Sequence, residues 1–319
     1  MTKIVALSRF PHEFDYERER YGAQNDIEFS ISPAKAKDEV LSVVKDADVV
    51  LFTDVTFDRE LLDALTKCKL IIRYGIGYDN IDAAYAAQKG IFVCNAPNYG
   101  VVDVAEHAIS LIMACVKRLI YMHDCVRDNF WSTGAMGQSI RLAGKTVGFL
   151  GFGKIARCVC RRTNAFETKA LVYDPYVTQE ALDDYGATLV DLPTILREAD
   201  ILSLHLPLND KTRHMIGAEQ LAAMKSTAIL INTSRGGIVD EAALIDALER
   251  GNIAGAGLDV FEDESGKLDR RILENKMVTL TPHVAWNTVE AGAALHKEVT
   301  ENVMRFLGGN RPESVVNGL

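Results

Sequence analysis

The sequence lacks a long hydrophobic run. No apolar stretch approaches the ~20 residues that a membrane-spanning helix requires. The N-terminal segment MTKIVALSRF has only a short apolar run and no cleavage signature for secretion. Hydrophobic residues make up 48% of the chain and charged residues 25%, which is ordinary for a soluble globular protein. We therefore expect a soluble, cytoplasmic protein without a membrane partner.

Paired cysteines and an excess of positive charge are missing as well. The six cysteines are scattered with no CxxC pair, so neither a zinc ribbon nor a disulfide framework is indicated. The histidines form no cluster of metal-ligand type. The net charge of −9 argues against a nucleic-acid partner held mainly through phosphate contacts. We expect buried thiols, no metal and no nucleic acid.

The length and the hydrophobic pattern predict two α/β domains. A chain of 319 residues is too long for one average domain and suits two. Short apolar runs alternate with helical patterns from residue 3 to about 95 and again after Lys145, which is typical of parallel sheets. Between the two series, a helical pattern from Val101 to about Arg127 is apolar on more than one side. It predicts either a buried strut between domains or a dimer contact.

The stretch KTVGFLGFGKIAR, residues 145–157, matches a dinucleotide-binding fingerprint. An apolar strand meets Gly151, Gly153 and Ala156 before a helical pattern, which suits a tight turn, close approach of a pyrophosphate and tight packing of helix on strand. Asp174 ends the next apolar run, about 20 residues on, where an acid binds the ribose hydroxyls. A plain strand-to-helix turn is the alternative for the loop by itself.

A second glycine-containing loop, Gly75-Ile76-Gly77-Tyr78-Asp79-Asn80, follows the predicted strand Leu70 to Tyr74. Open parallel sheets bind ligands at the carboxyl ends of their strands, and two glycines expose backbone N–H groups there. The alternative is a tight turn in which Asp79 or Asn80 caps the next helix, and both interpretations can hold together.

Four polar residues stand at the ends of apolar strands in the second series, namely Arg235, Asp259, Glu264 and His283. An arginine fork matches a carboxylate, which suggests an anionic substrate. Glu264 could bind one ring nitrogen of His283, fix its tautomer and raise its pKa, giving a general acid near neutral pH. A surface arginine and a structural histidine are the alternatives. His205 could pack or line a cofactor site, and the other histidines, His107 among them, are interpreted as structural or solvated.

Together, a dinucleotide loop, a carboxylate-binding arginine and a carboxylate-paired histidine indicate one reaction class. It is hydride transfer to or from the carbon of a 2-oxo or 2-hydroxy acid.

Over nearly the whole chain the motifs resemble the D-isomer-specific 2-hydroxyacid dehydrogenase family, in particular its phosphoglycerate dehydrogenases and glyoxylate or hydroxypyruvate reductases. The resemblance implies two Rossmann-like domains with parallel sheets and an active site in the cleft between them. Residues 1–98 and 287–319 would form a discontinuous substrate-binding domain, and residues 99–286 the NAD-binding domain. A homodimer is implied, with the long helix near the contact. The segments that carry the match are RYGIGYDNID (73–82), DVAEHA (103–108), GFLGFGKIA (148–156), LHLPLNDKTRH (204–214), INTSRGGIVDEAAL (231–244), GAGLDVFEDE (255–264) and TPHVAW (281–286).

The resemblance also implies roles for individual residues. Arg235 would hold the substrate carboxylate, His283 would exchange the proton, and Glu264 would pair with His283. Substrate binding would use Arg73, Gly75, Ile76, Gly77 and Arg235. Cofactor binding would use Val104, Gly151, Phe152, Gly153, Lys154, Ile155, Asp174, His205, Pro207, Thr212, Thr233, Ser234 and Asp259.

Departures from the family pattern bear on the cofactor and the substrate. Asp174 favours NAD, because it would repel a 2′-phosphate and its neighbours supply no arginine. Phe52-Thr53-Asp54 stands where a second basic residue is expected in phosphoglycerate dehydrogenases, while Trp286 is similar to hydroxypyruvate and glyoxylate reductases. We therefore expect a small D-2-hydroxy acid with an uncharged tail. D-3-phosphoglycerate dehydrogenase is the alternative, and an NAD-sensing, corepressor-like interaction protein is the alternative of another class.

Overall fold

The chain divides into two compact units in the computed structural model, which describes residues 1–131 and 139–319. The first unit comprises Met1–Gly100 and Asn287–Leu319, and the second unit comprises Val101–Trp286. The sequence-based boundaries lay at 98/99 and 286/287. Within the described part of the chain, no helix combines the length and the apolar character needed to cross a membrane.

The first unit is built on a five-stranded parallel sheet in the order β2-β1-β3-β4-β5. Its central strands are short and apolar, with every residue of β3 buried, as expected of strands covered on both faces. Phe52 pairs with Arg73, so β3 and β4 end side by side. The strands are β1 (Thr2–Leu7), β2 (Ile27–Ser32), β3 (Val49–Phe52), β4 (Leu70–Arg73) and β5 (Phe92–Cys94).

Helices cover both faces of this sheet. Asp58, Asp82 and Thr288 each accept a backbone N–H in the first turn of the helix that follows, which satisfies one of the unpaired donors there. The C-terminal helix lies on the sheet through Leu295 and Val299, so the end of the chain belongs to the first unit. The helices are α1 (Asp15–Gly22), α2 (Lys37–Val44), α3 (Arg59–Ala64), α4 (Ala83–Gln88) and α12 (Val289–Leu307).

The second unit contains a seven-stranded parallel sheet in the order β12-β11-β10-β9-β6-β7-β8. The strand order reverses between β6 and β9, which are hydrogen-bonded neighbours. In doubly wound sheets this switch point is where the ligand-binding crevice opens. The strands are β6 (Thr146–Leu150), β7 (Lys169–Tyr173), β8 (Ala187–Leu189), β9 (Ile201–Leu204), β10 (Ile229–Asn232), β11 (Gly255–Leu258) and β12 (Val278–Leu280).

The single long helix predicted from Val101 to Arg127 is wrong, because the structure has two helices there. Arg118 adopts a left-handed backbone with φ of 52°, which ends the first helix and starts the second. The first helix packs on β10, β11 and α7 through residues such as Ala108 and Ile112. The helices of this unit are α5 (Val101–Lys117), α6 (Leu119–Arg127), α7 (Lys154–Asn164), α8 (Leu192–Glu198), α9 (Ala218–Ala223), α10 (Glu241–Glu249) and α11 (Arg270–Glu274).

All six cysteines are free thiols, as the scattered spacing predicts. Burial is less uniform than predicted. Cys68, Cys94 and Cys160 are buried, whereas the other three are partly exposed.

Candidate active site

The loop between β6 and α7 has the backbone geometry of a phosphate-binding turn. Gly151 has φ of +85°, and a Cβ there would lie 2.7 Å from the His205 carbonyl oxygen, so only glycine fits. Gly153 is the extended N-cap of α7, and apart from its two chain neighbours no described residue has an atom within 4 Å of where its Cβ would be. The first N–H groups of a helix have no partner inside the helix, and its dipole favours an anion there. The loop therefore offers donors and room for a diphosphate.

Asp174 lies beside this loop at the end of β7. One carboxylate oxygen accepts the Phe152 N–H at 2.8 Å and the other accepts the Tyr176 N–H at 2.8 Å. These bonds fix the direction of the carboxylate and leave lone pairs that could accept hydroxyl groups. The spacing in the sequence predicted this proximity, and the two backbone bonds explain how it is held.

Most of the other cofactor-binding candidates of the second unit follow the strands β9, β10 and β11, whereas Val104 lies in α5 and is buried, and Lys154 and Ile155 begin α7. His205 stacks on Phe149 with ring centroids 6.0 Å apart, and burial lowers its pKa to about 4, so it is neutral at physiological pH. Thr212 donates to the Pro207 carbonyl at 2.6 Å and thereby closes its own loop. Thr233 has a buried hydroxyl without a hydrogen-bond partner in the described part of the chain. A dinucleotide could supply that partner, so these residues fit the group.

His283 and Glu264 form a hydrogen-bonded pair. His283 Nδ1 lies 2.8 Å from Glu264 Oε2, and both side chains are about two-fifths exposed. Burial raises the pKa of Glu264, but its hydrogen bond and attraction to His283, with smaller contributions from the Phe261 N–H and Arg235, outweigh burial and leave that pKa below its usual value. Glu264 is therefore ionised at neutral pH and accepts a hydrogen bond from His283 Nδ1. The Nε2 atom is left to exchange a proton.

The backbone around His283 is held in an uncommon conformation. His283 has φ of 53°, in the left-handed region that non-glycine residues seldom occupy. Its N–H donates to the Asp259 carbonyl at 2.7 Å. The Asp259 carboxylate accepts the N–H groups of Val284 at 3.0 Å and Ala285 at 2.9 Å. Asp259 is completely buried. Its carbonyl therefore holds the N–H of His283 while its carboxylate holds the two N–H groups that follow, which fixes the turn.

Arg235 follows β10 in a loop that is organised by Asn232. The Asn232 side chain donates to the Arg235 carbonyl at 2.9 Å and accepts the N–H of Ser234 at 3.0 Å. A Cβ on Gly236 would lie 1.9 Å from the Phe261 carbonyl carbon, so this loop touches the segment that carries Glu264. Arg235, Glu264 and His283 therefore share the edge formed by the ends of β10, β11 and β12. Sequence reasoning passed over Asn232, although its place at a strand end was a usable signal.

The glycine loop of the first unit has its carbonyl groups fixed. Asn95 Nδ2 donates to the Ile76 carbonyl at 2.6 Å, and the Ala96 N–H donates to the Gly75 carbonyl at 3.0 Å. The Arg73 guanidinium lies over Gly75 and donates from Nε to the Thr53 carbonyl at 3.2 Å. Arg73 and the loop thus form one group of residues at the ends of β3 and β4.

Among residues 1–131 and 139–319, no three His, Cys, Asp or Glu side chains are grouped closely enough to hold a metal ion.

Comparison with known proteins agrees with this architecture. Residues 109–285 match the family model described as D-isomer specific 2-hydroxyacid dehydrogenase, NAD binding domain. The chain is 41% identical over 278 residues to a glyoxylate reductase of Thermococcus litoralis, covering 85% of this chain and 83% of that protein. It is 39% identical over 292 residues to a D-3-phosphoglycerate dehydrogenase of Methanocaldococcus jannaschii, covering 91% of this chain but only 55% of the relative.

A solved structure is similar over almost the full length. The D-lactate dehydrogenase of Aquifex aeolicus, complexed with NAD and lactic acid, superposes with a TM-score of 0.89 at 31% identity and covers 97% of this chain and 96% of that one. The matched family domain makes NAD the cofactor. The chain belongs to the D-isomer specific 2-hydroxyacid dehydrogenase family.

Proposed function

We propose that the protein is an NAD-dependent oxidoreductase that transfers a hydride between nicotinamide and C2 of a small D-2-hydroxy or 2-oxo acid. The observation that carries the proposal is the His283–Glu264 pair, 2.8 Å apart, on the same sheet edge as Arg235. This edge belongs to the unit that carries the NAD-binding fingerprint. It provides both a proton-exchanging group and a cation for a substrate carboxylate.

Each residue has a defined part in the proposed reaction. Arg235 binds the substrate carboxylate through its planar fork and polarises the neighbouring carbonyl. His283 donates its Nε2 proton to the carbonyl oxygen during reduction and removes it during oxidation. Ionised Glu264 accepts the Nδ1 proton and thereby holds the ring in the productive tautomer and orientation. NADH supplies the hydride in reduction, and NAD accepts it in oxidation.

The first unit bears on the choice of substrate. Arg73 donates to a backbone carbonyl over the Gly75 loop, and Asp54 beside Thr53 pairs with Lys35 at 3.2 Å. Asp54 is thus neutralised by Lys35, and the second arginine or lysine expected after β3 for phosphoglycerate is replaced by Thr53-Asp54. These features favour an acid with a small uncharged tail. Arg73 itself favours D-3-phosphoglycerate, the second candidate.

The NAD-sensing, corepressor-like alternative is not supported, because the relatives compared above are named as enzymes.

We also propose a homodimer. Every residue of α6 is at least partly exposed, and large apolar side chains are directed outward along it and just beyond it. Apolar patches of this kind mark protein–protein contacts. The exposed apolar residues are Leu119, Ile120, Val126, Phe130 and Trp131.

A substrate panel tests the proposed reaction. The purified protein is assayed by NADH absorbance with pyruvate, glyoxylate, hydroxypyruvate, 2-oxoisocaproate and phosphohydroxypyruvate. We expect turnover with at least one uncharged-tail acid and a higher kcat/KM for it than for phosphohydroxypyruvate. A preference for phosphohydroxypyruvate would establish the second candidate. NADH binding without turnover on any of the five acids would reject the enzyme proposal.

A further inference from the structure

His107 on α5 is tied to the turn that carries His283. Its Nε2 atom lies 2.9 Å from the Thr281 hydroxyl oxygen, and that oxygen lies 2.5 Å from Asp259 Oδ1. The His107 side chain is 22% exposed, and Asp259 is completely buried. The contacts link α5, the end of β12 and the end of β11 in one chain of hydrogen bonds.

The partners define the direction of each bond. The Asp259 carboxylate already accepts two backbone N–H groups, from Val284 and Ala285, and as a carboxylate it has no proton to donate. The Thr281 hydroxyl must therefore give its single proton to Asp259. Its oxygen can then only accept from His107, which places a proton on His107 Nε2. From the sequence, His107 was interpreted only as structural or solvated. The structure adds a hydrogen bond from His107 Nε2 to the Thr281 hydroxyl.

We infer that His107 is a positioning residue for His283, and this inference rests on the proposed function. His283 has a left-handed backbone, which costs an L residue free energy and persists only where the surrounding structure restrains it. Asp259 provides that restraint through its carbonyl on one side of the turn and its carboxylate on the other. Thr281 and His107 fix the carboxylate in turn.

Helix α5 is a rigid support for this chain. Ala105 and Ala108, on either side of His107, are completely buried in the core of the second unit. The backbone of α5 at His107 is therefore held in place by packed neighbours, because protein interiors are close-packed. The hydrogen bonds from His107 through Thr281 to Asp259 connect this fixed helix to the turn that carries His283. They thereby help to hold the His283 ring so that Nε2 points toward the substrate.

Two matched pairs of variants test the inference. Thr281→Val removes the hydroxyl at nearly constant volume, and Thr281→Ser keeps it. His107→Met removes the donor, and His107→Gln keeps an N–H at a similar reach. We expect Thr281→Val and His107→Met each to lower kcat about 10-fold, the usual worth of one such hydrogen bond. Substrate KM and NADH affinity should stay within about 2-fold of the wild type. In Thr281→Ser and His107→Gln, kcat should stay within about 3-fold of the wild type.

A measurement without turnover separates this inference from the proposed reaction. In the ¹⁵N-histidine-labelled full-length protein, we expect His107 to show the Nε2-protonated tautomer, assigned by its loss in His107→Gln. The hydrogen-bonded Nδ1 proton of His283 should broaden or disappear in Thr281→Val and persist in Thr281→Ser. An Nδ1-protonated His107, or equal spectra and equal kcat for Thr281→Val and Thr281→Ser, would overturn the inference. Failure of the substrate panel alone would reject the reaction and leave this spectroscopic test standing.

Discussion

His283 shows how far single residues could be predicted from the sequence. Polar residues at the ends of consecutive parallel strands are expected to meet, because those ends share one edge of the sheet. Arg235, Glu264 and His283 were predicted on that basis, and the structure brings them to one edge. The left-handed backbone of His283 could not be predicted, because no glycine, asparagine or aspartate signals it. It depends on Asp259, which is distant in sequence.

At the residue scale, His205 should contribute a pH dependence to stability. Burial holds its pKa at about 4 in the folded protein, against about 6.5 when exposed. As the pH falls below about 6.5, His205 becomes protonated in the unfolded chain but stays neutral in the folded chain. The free energy of unfolding therefore decreases, and the decrease is complete below about pH 4. We expect a contribution of up to about 3 kcal/mol to be lost over this window.

Urea unfolding of the wild type and of His205→Gln at several pH values measures this contribution. The difference in unfolding free energy between the two proteins should change between pH 6.5 and 4 and be constant above 7. A difference that does not vary with pH would refute the prediction.

At the scale of elements, the phosphate-binding loop was predictable and the break in the long helix was not. Gly151, Gly153 and Ala156 carry a spacing whose physical reasons are local to one strand and one helix. Arg118 breaks a helical pattern without glycine or proline, so nothing in the local sequence marks the change. Helix propensity predicts that the helix continues through Arg118, but tertiary context overrides propensity at this position.

The two glycines of the loop should respond differently to alanine. At Gly151 the positive φ and the 2.7 Å approach of the His205 carbonyl oppose any Cβ, so Gly151→Ala should destabilise the fold by at least about 1–2 kcal/mol. At Gly153 the backbone is ordinary and the space is open, so Gly153→Ala should keep its stability and bind NADH more weakly.

Thermal unfolding and a fluorescence titration with NADH distinguish the two variants. Equal melting temperatures for Gly151→Ala and the wild type would contradict the strain argument. Unchanged NADH affinity in Gly153→Ala would mean that the cofactor does not approach the backbone at this point.

Helix α6 supports a prediction about assembly. If its exposed apolar side chains form the dimer contact, Ile120→Glu should place a charge in that contact and convert dimer to monomer, because an unpaired charge is costly to bury. Val289→Glu is the matched control, since Val289 is 87% exposed and begins a helix in the first unit. Light scattering after size exclusion gives the mass. A monomeric wild type, or an Ile120→Glu variant of dimeric mass, would exclude the α6 contact.

At the scale of the whole molecule, the alternation of strands and helices was sufficient to predict two parallel α/β units. Runs such as VVLF in β3 and ILI in β10 are apolar and contain β-branched residues, as is typical of strands covered on both faces. Helix α1 carries no apolar stripe that would predict a helix, because its sequence DYERERYG buries a glutamate and a tyrosine instead. Strand β8, at three residues, is too short to give a pattern.

The buried residue of α1 that escaped the pattern should matter for stability. Glu17 is completely buried and accepts hydrogen bonds from the Tyr74 hydroxyl at 2.7 Å and from His296 Nδ1 at 2.7 Å. It thereby joins α1 and α12, which lie near opposite ends of the chain, to the end of β4. Glu17→Leu would leave two polar partners unsatisfied in the core and should cost about 3–5 kcal/mol.

Chemical unfolding measures this cost, with Glu19→Leu on the exposed side of the same helix as the control. The control should change the unfolding free energy by less than about 0.5 kcal/mol. Equal unfolding midpoints for the two variants would show that the buried network contributes nothing to stability.

The most direct test of the central claim is the rate of NADH oxidation by His283→Asn with the best 2-oxo acid. Asparagine tolerates the left-handed backbone and can still donate to Glu264, but it has no Nε2 proton to give. We predict a loss of at least ~100-fold in kcat, the lower range for general acid catalysis, with NADH affinity unchanged. A rate within a few-fold of the wild type would contradict the assignment of His283 as the proton donor.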